Sequence, residues 1–142
     1  MRQRSRLEVL SRILDIEEPK LSIVFCNTKR SVDEATEALL GRGYQADRLH
    51  GDISQIHRER TLRRFREGAL EILVATDVAA RGLDVETLTH VVNYDVPSAP
   101  ESYVHRVGRV GRAGREGVAI TLAEPREQRL LGNIERLTKH QI

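Results

Sequence analysis

Apolar side chains near the start of the chain recur at the spacing of one face of a helix. The positions that share this face are Leu7, Leu10, Ile13 and Leu14. This pattern predicts an amphipathic helix over residues 4–16. Glu17-Glu18-Pro19 should end this helix, because the residue before a proline disfavours the helical conformation.

Short apolar segments then alternate with segments of helical pattern. The predicted strands are Leu21–Cys26, Gln45–Leu49, Glu71–Ala75, Thr89–Tyr94 and Val118–Leu122. One predicted helix covers residues 29–41 and ends at Gly41 and Gly43. A second is capped by Ser54, continues through Arg66 and stops at Gly68. The last runs from about Arg126 to the end, and its inward positions are Leu130, Leu131, Ile134 and Leu137.

This alternation predicts an α/β fold, a single domain with a parallel sheet flanked by helices on both faces. In such sheets the working loops lie beyond the carboxyl ends of the strands. Four polar loops should therefore converge on one edge of the sheet and form a site there. They are Asn27–Lys29, His50–Asp52, Thr76–Asp77 and Asp95–Pro97.

Length and composition limit the class of protein. The 142 residues, of which 39% are hydrophobic, are enough for one domain with one core. Cys26 is the only cysteine, which excludes an intrachain disulfide and a cysteine metal cluster. No apolar run approaches the roughly 20 residues of a membrane span. We therefore expect a cytoplasmic protein without a membrane partner and without a metal site of its own.

Charge is distributed unevenly along a nearly neutral chain. The net charge is only +2, but 20 of the 23 cationic residues are arginine, since lysine occurs only at Lys20, Lys29 and Lys139. The arginines cluster at 58–66 and 106–115, which suggests two surfaces that face anions. Only two Phe and three Tyr occur. This scarcity argues against a base-stacking platform and favours contacts to a nucleic-acid backbone.

The second arginine cluster has the chemistry of a phosphate-binding segment. From His105 to Arg115, four arginines and three glycines alternate at a spacing of three. Guanidinium groups offer planar forks of donors to phosphate oxygens, and glycine lets the backbone approach a large anion. A solvated Arg-rich loop is the simpler alternative. The segment Ala75–Asp84, which follows a predicted strand and carries another Arg, Gly and Asp, favours a defined site.

Together the segments Ala75–Asp84 and His105–Arg115 resemble motifs V and VI of the DEAD-box RNA helicases. Ile23–Lys29 resembles motif IV, and His50–Arg58 resembles the segment that carries Gln-x-x-Arg. The matches run in family order from about residue 20 to residue 120. Val110 departs from the family, which usually has Thr there. The ending Arg126–Arg136 is most similar to the bacterial cold-shock branch.

The resemblance implies a RecA-like fold and assigns roles to particular residues. Arg109 and Arg112 would be arginine fingers for ATP hydrolysis, and His105 and Arg106 would support the contact between domains. Asp84 would bind the ATP ribose, with Gly82 giving access to the backbone beside it. The positions that would contact RNA are Thr28, Gly51, Gln55, Arg58 and Thr76. An internal role for Arg58, bracing Phe25 and motif VI, is the alternative.

The groups that bind most of the triphosphate are missing from the sequence. No Gly-x-x-x-x-Gly-Lys-Ser/Thr loop occurs, and Asp33-Glu34-Ala35-Thr36 lies in a predicted surface helix rather than at the end of a buried strand. The resemblance therefore implies that ATP and Mg²⁺ are bound mainly by an N-terminal RecA-like domain. Residues 1–142 would be the C-terminal helicase domain excised from a longer RNA helicase, inactive alone.

Two other functions remain open from the sequence. One is a stand-alone RNA-binding or regulatory module without catalysis. The other is half of a related DNA translocase, which the spacing His-Arg-x-Gly-Arg-x-Gly-Arg disfavours. The flanking sequence would separate them, because an upstream Gly-Lys-Thr loop and Asp-Glu-Ala-Asp strand are expected only for the helicase. The residues do not indicate an oligomeric state.

Overall fold

The computed structural model describes residues 3–17, 20–81, 83, 88–97, 100–107, 118–122, 132 and 134–136. The strands are β1 (Ser22–Phe25), β2 (Ala46–Leu49), β3 (Ile72–Ala75), β4 (His90–Asn93) and β5 (Val118–Thr121). The helices are α1 (Gln3–Glu17), α2 (Lys29–Gly41), α3 (Gln55–Arg66) and α4 (Pro100–Val107). All neighbouring strands pair in parallel, in the order β2-β3-β1-β4-β5.

Helices cover both faces of this sheet, which confirms the predicted fold class. Ile23 and Phe25 of β1 belong to a buried cluster with Phe65 of α3. Val24, between them, belongs to a second cluster with Leu39 of α2, and α1 joins this cluster too. Alternate residues of a strand point to opposite faces, so a strand covered on both faces must be apolar throughout. The fully buried β3 satisfies this rule, and β1 satisfies it from Ile23 to Phe25.

Side-chain caps position the starts of α2 and α3. The Thr28 hydroxyl accepts a hydrogen bond from the Ser31 N–H at 3.1 Å, and the Ser54 hydroxyl accepts one from the His57 N–H at 3.2 Å. Such bonds satisfy donors that a helix leaves open at its first turn. The predicted cap at Ser54 is confirmed, and both helices begin just beyond the carboxyl ends of β1 and β2.

The helix α4 is an element that the sequence interpretation missed. It follows the Asp95–Pro97 loop and carries His105 and Arg106 in its last turn. Pro100 at its first position and Glu101 in its first turn are ordinary signals of a helix start. The strands were identified correctly, although each is one or two residues shorter than predicted.

Part of the predicted last helix lies within the described residues. Residues 132 and 134–136 are helical, and Ile134 is buried as predicted. Leu130, Leu131 and Leu137 lie outside the described residues. Among the described helices, none has the length and apolar character that a membrane crossing requires.

Gly68 follows the end of α3 with a φ of +79°, the left-handed conformation that side chains disfavour. Replacing Gly68 with Ala should lower the free energy of unfolding by about 1 kcal/mol, although a methyl group there meets no atom within 4 Å. Gly41→Ala is the matched control: it also has open space, but its φ is not positive, so alanine should stabilise by about 0.5 kcal/mol. Urea denaturation of both variants checks the difference in sign. Equal shifts would contradict the backbone explanation.

Candidate functional site at the carboxyl edge of the sheet

The carboxyl ends of the strands stand in one row. Phe25 at the end of β1 pairs with Ala75 of β3 and with Asn93 of β4. Ala75 also pairs with Leu49 at the end of β2. The loops that follow these four residues therefore leave the sheet at the same level, and the predicted convergence of the polar loops is confirmed.

Arg106 of α4 joins three of these loops from the interior of the protein. Its Nε and Nη2 donate to the two carboxylate oxygens of Asp77 at 2.7 Å each. Nη2 also donates to the Asn27 side-chain oxygen at 2.8 Å, and Nη1 donates to the Asp95 carbonyl at 2.9 Å and to the Asn93 side-chain oxygen at 3.5 Å. These bonds use all five N–H donors of the guanidinium group.

The surroundings of Arg106 leave its side chain no access to solvent. It is 1% exposed, and its guanidinium carbon lies 5.3 Å from the centre of the Phe25 ring. Arginine stacks favourably on aromatic faces. The structure places the side chain inside this domain; the expected support of a contact between domains by Arg106 stays a prediction. Its contacts are those of a residue that positions α4 and the loops.

A cleft of about 290 Å³ opens beside this cluster. Arg81 and His105, both exposed, lie on its wall together with Ser102. A guanidinium, an imidazole and a hydroxyl can all donate hydrogen bonds to an anion. The position of His105 suits the predicted contact with another domain, which stays a prediction. Arg81 is a candidate that the sequence analysis did not single out, although it lies within the Ala75–Asp84 segment.

A second polar surface lies over the ends of β1 and β2. Thr28 is exposed at the start of α2, and a methyl group on Gly51 would lie 3.4 Å from Cε of Lys29. The Lys29 ammonium, also exposed, is 3.0 Å from a carboxylate oxygen of Asp52. Gln55 is exposed at the start of α3 and donates to Glu59 at 3.3 Å. Lys29 was missed in the sequence, although it follows Thr28 directly.

The helices α2 and α3 both begin at this surface. The open N–H groups of a helix N-terminus and the aligned peptide dipoles carry partial positive charge, which favours anions. The surface therefore combines two helix N-termini, the Thr28 hydroxyl, the Gln55 amide, one glycine and the Lys29–Asp52 ion pair, without an aromatic side chain among these residues. Most of these groups suit phosphate oxygens.

Thr76 and Arg58 lie in and against the turn that follows β3. The Thr76 N–H donates to the Leu49 carbonyl at 3.3 Å, and its hydroxyl accepts from the Ala79 N–H at 3.4 Å. Arg58 of α3 donates to the Ala79 carbonyl at 2.6 Å. Arg58 thus makes an internal contact to the Ala79 turn. Its predicted contact to RNA and the alternative, bracing of Phe25 and motif VI, both stay predictions.

The carboxylate of Asp33 takes part in a hydrogen-bonded cluster on α2. The Asp52 N–H donates to Nδ1 of His50 at 3.1 Å, so the bond pattern assigns the ring proton to Nε2, which lies 2.9 Å from Asp33. This hydrogen bond, followed by the one from Arg48, holds the pKa of Asp33 below its usual range. Asp33 thus makes helix-surface contacts, as expected. In the described part of the chain, no group of three or more His, Cys, Asp or Glu could hold a metal ion.

Several predicted site residues lie outside the described residues. They are Gly82, Asp84, Arg109 and Arg112, together with the departure from the family at Val110. Their assignments stay predictions.

Cys26 is buried just after β1, where desolvation and the nearby Asp95 carboxylate raise the pKa of its thiol. It packs as a small apolar side chain.

Comparison with known proteins gives one family and close structural relatives. Residues 5–114 match the family described as Helicase conserved C-terminal domain. The chain is 57% identical over 140 residues to the DEAD-box ATP-dependent RNA helicase CshA of Geobacillus kaustophilus, covering 99% of this chain and 30% of that protein. The matching relatives from Bacillus cereus and Bacillus subtilis are covered to 27% and 29%, so the chain spans less than a third of their length.

Solved structures are similar over nearly the whole chain. The E. coli DEAD-box protein SrmB bound to regulator of ribonuclease activity A superposes with a TM-score of 0.93 at 38% identity, covering 99% of this chain and 83% of that one. S. cerevisiae Dbp5 bound to RNA and ADP BeF3 superposes with a TM-score of 0.87 at 35% identity, covering 94% of this chain and 36% of that one. The RecA-like fold expected from the sequence is confirmed.

Removing the Arg106 side chain should leave Asp77 and several buried acceptors without their donor. We expect Arg106→Ala to lower the free energy of unfolding by about 3–5 kcal/mol, because the buried acceptors of Asn93 and Asp95 lose their donor and the space that the side chain filled becomes empty. Arg106→Lys should recover less than half of this, because an ammonium cannot reproduce a planar fork of five donors. His105→Ala, on the same helix but exposed, is the control and should stay within about 0.5 kcal/mol. Urea unfolding of the 142-residue chain provides the values; a loss under 1 kcal/mol for Arg106→Ala would contradict the central role.

Proposed function

The chain belongs to the helicase conserved C-terminal domain family, and from that membership we propose that it works as the C-terminal RecA-like domain of a DEAD-box ATP-dependent RNA helicase. Residues 1–142 form that domain within a longer protein. Its partners are an N-terminal RecA-like domain and RNA. The names of the CshA relatives, and the RNA and ADP BeF3 bound to Dbp5, support this assignment.

The observation that carries the proposal is the pair between Asp77 and Arg106. Asp77 belongs to the segment that resembles motif V, and Arg106 to the segment that resembles motif VI. Two bonds of 2.7 Å join them side by side, a bidentate geometry that fixes orientation as well as distance. Arg109 follows Arg106 by three residues. The pair with Asp77 therefore fixes the position of the residue that precedes the segment with the proposed arginine fingers.

The described residues fit part of a nucleotide site. Arg81, His105 and Ser102 give the cleft beside α4 donors for phosphate oxygens, which agrees with an ATP polyphosphate at the domain boundary. Bound ATP with Mg²⁺ would supply the phosphoryl group whose transfer to water drives the cycle. We propose that the N-terminal domain holds Mg²⁺ and most of the triphosphate. In this chain, Asp84 contacts the ribose, Gly82 gives backbone access, and His105 contacts the other domain.

The proposed catalytic groups of this domain are Arg109 and Arg112. Negative charge on the transferring phosphoryl group is stabilised by donors that are in position before the reaction. An arginine finger contributes roughly 10³–10⁵ in rate. Arg106 positions the segment that leads to them.

RNA is proposed to lie across the surface that Thr28, Gly51, Gln55 and Thr76 share with Lys29. Hydroxyls, backbone N–H groups and an ammonium bind phosphates irrespective of sequence. Arg58 supports this surface through its bond to the Ala79 carbonyl.

A buried, protonated Cys26 thiol is compatible with the cytoplasmic location that we propose.

The stand-alone RNA-binding module is the second candidate. The chain covers only 27–30% of its curated relatives, and this favours a domain that acts with a catalytic partner. Steady-state ATPase measurements on the 142-residue chain with RNA and Mg²⁺ test whether this chain is a complete enzyme. Turnover above about 1 s⁻¹ would contradict both candidates. We expect no turnover from the chain alone.

RNA binding by the chain should be weak, independent of base sequence and sensitive to salt. Lys29→Ala should flatten the dependence of log affinity on log salt by about 0.7, the value for one phosphate contact on a single strand. Lys20→Ala is the matched control, because Lys20 is also exposed but precedes the amino end of β1, away from the proposed RNA surface. Titration of labelled strands at several salt concentrations gives both slopes. Equal slopes for the two variants, or a base preference that survives high salt, would contradict this surface.

Arg112→Ala in the full-length helicase should reduce RNA-stimulated turnover by roughly 10³-fold or more. Arg112→Lys should restore little, because a point charge does not reproduce the planar fork. The control is Arg66→Ala, which removes an exposed arginine at the far end of α3 and should leave turnover unchanged. Unfolding of the isolated chain should shift by less than about 0.5 kcal/mol in both variants. If Arg112→Ala unfolds the chain, or keeps normal turnover, Arg112 is not an arginine finger.

A further inference from the structure

An arginine interrupts the apolar face of α1. Arg6, Leu10 and Leu14 follow one another at intervals of four, so they lie on one stripe of the helix. Leu10 and Leu14 are 0% and 3% exposed, and Arg6 is 8% exposed. A charged side chain is buried here at a position where an apolar residue would continue the packing, which indicates a specific buried partner.

One buried partner of Arg6 is the carboxylate of Asp95, which follows β4. Nη1 of Arg6 donates to Oδ1 of Asp95, and both side chains are nearly buried, at 10% and 12% exposure. The guanidinium carbon of Arg6 also lies 5.5 Å from the centre of the Tyr94 ring. The ion pair therefore joins α1, the first element of the chain, to the carboxyl edge of the sheet.

Asp95 also forms hydrogen bonds with Asn27 and Arg106. Its second oxygen accepts the Asn27 backbone N–H at 2.8 Å, and its carbonyl accepts from Arg106 at 2.9 Å. The Asn27 side chain accepts from Arg106 at 2.8 Å and donates to the Val96 carbonyl at 3.0 Å. One continuous chain of hydrogen bonds thus runs from Arg6 through Asp95 and Asn27 to Arg106.

We propose that Arg6 is a positioning residue that sets the orientation of Arg106 through Asp95 and Asn27. Without Arg6, the nearly buried Asp95 carboxylate lacks its counter-charge and turns toward water, which withdraws its bond from Asn27. Arg106 then loses the fixed placement of two acceptors. The consequence for catalysis rests on the proposed function, because Arg106 precedes Arg109 by three residues.

The first experiment measures Arg106 directly in the 142-residue chain. Hydrogen exchange of the Arg106 Nε–H, followed by NMR, reports how often its bond to Asp77 opens. Arg6→Ala should speed this exchange by about tenfold or more. Arg12→Ala removes an exposed arginine from the same helix and should leave the exchange rate unchanged. Arg6→Lys keeps the charge and should remain within about threefold of the parent.

A double variant separates positioning from simple loss of packing. In Arg6→Ala with Asp95→Asn, no unpaired charge remains, and the Asn oxygen can still accept the Asn27 N–H. We expect slow exchange at Arg106 to return in this variant, even if Arg6→Ala alone fails to fold. Unchanged exchange in Arg6→Ala would overturn the proposal. Fast exchange in the double variant would also overturn it, since the loss would then come from packing of the arginine stem.

The second experiment measures turnover in the full-length helicase. Arg6→Ala should lower kcat by about tenfold or more while KM for ATP changes less than about threefold, because misplaced groups chiefly weaken the transition state. Arg6→Lys should restore most of kcat, and Arg12→Ala should match the parent. Equal kinetics for Arg6→Ala and Arg12→Ala would overturn the catalytic part. If the parent protein lacks RNA-stimulated ATPase activity, the proposed function fails, and exchange at Arg106 still decides whether Arg6 is a positioning residue.

Discussion

The buried guanidinium of Arg106 is the constraint on which the carboxyl edge of this domain depends. A cation taken out of water is strongly unfavourable unless every donor finds an acceptor. Asp77 supplies the opposite charge, and Asn27, Asn93 and the Asp95 carbonyl complete the set. These acceptors follow or end β1, β3 and β4, so satisfying one side chain fixes the relative positions of three strand ends and of α4.

The same requirement explains why β4 ends in a buried polar residue. Asn93 is fully buried at the end of β4, and its amide nitrogen donates to the Thr121 hydroxyl of β5 at 3.1 Å. An amide can accept from Arg106 and donate to a neighbour at once, which neither a carboxylate nor an aliphatic side chain can do. The buried polar network is therefore specific in geometry, and its members depend on one another more than independent pairs would.

The fold was predictable because its signals are local. Thr28 and Ser54 cap their helices through side-chain bonds only three residues long, and the apolar runs of β1 and β3 need no knowledge of the rest of the chain. The role of Arg106 was not predictable in this way, because its acceptors are 11 to 79 residues away in the sequence. Pro100 and Glu101 are signals of the start of α4, but the Arg-Gly pattern that follows was interpreted as part of a loop. The family resemblance suggested the surfaces that we propose for the nucleotide and for RNA, and packing decided that Arg106 is buried.

The alternation of core residues along β1 has a mechanical consequence. Ile23 and Val24 are adjacent, yet they belong to the clusters on opposite faces of the sheet. Neither face can therefore separate from the sheet without disturbing the strand that supports the other. Unfolding of such a domain is cooperative, so both clusters are lost together. Because the strand ends are supported from both faces at once, the surfaces that we propose for the nucleotide and for RNA keep a fixed mutual orientation as long as the domain stays folded.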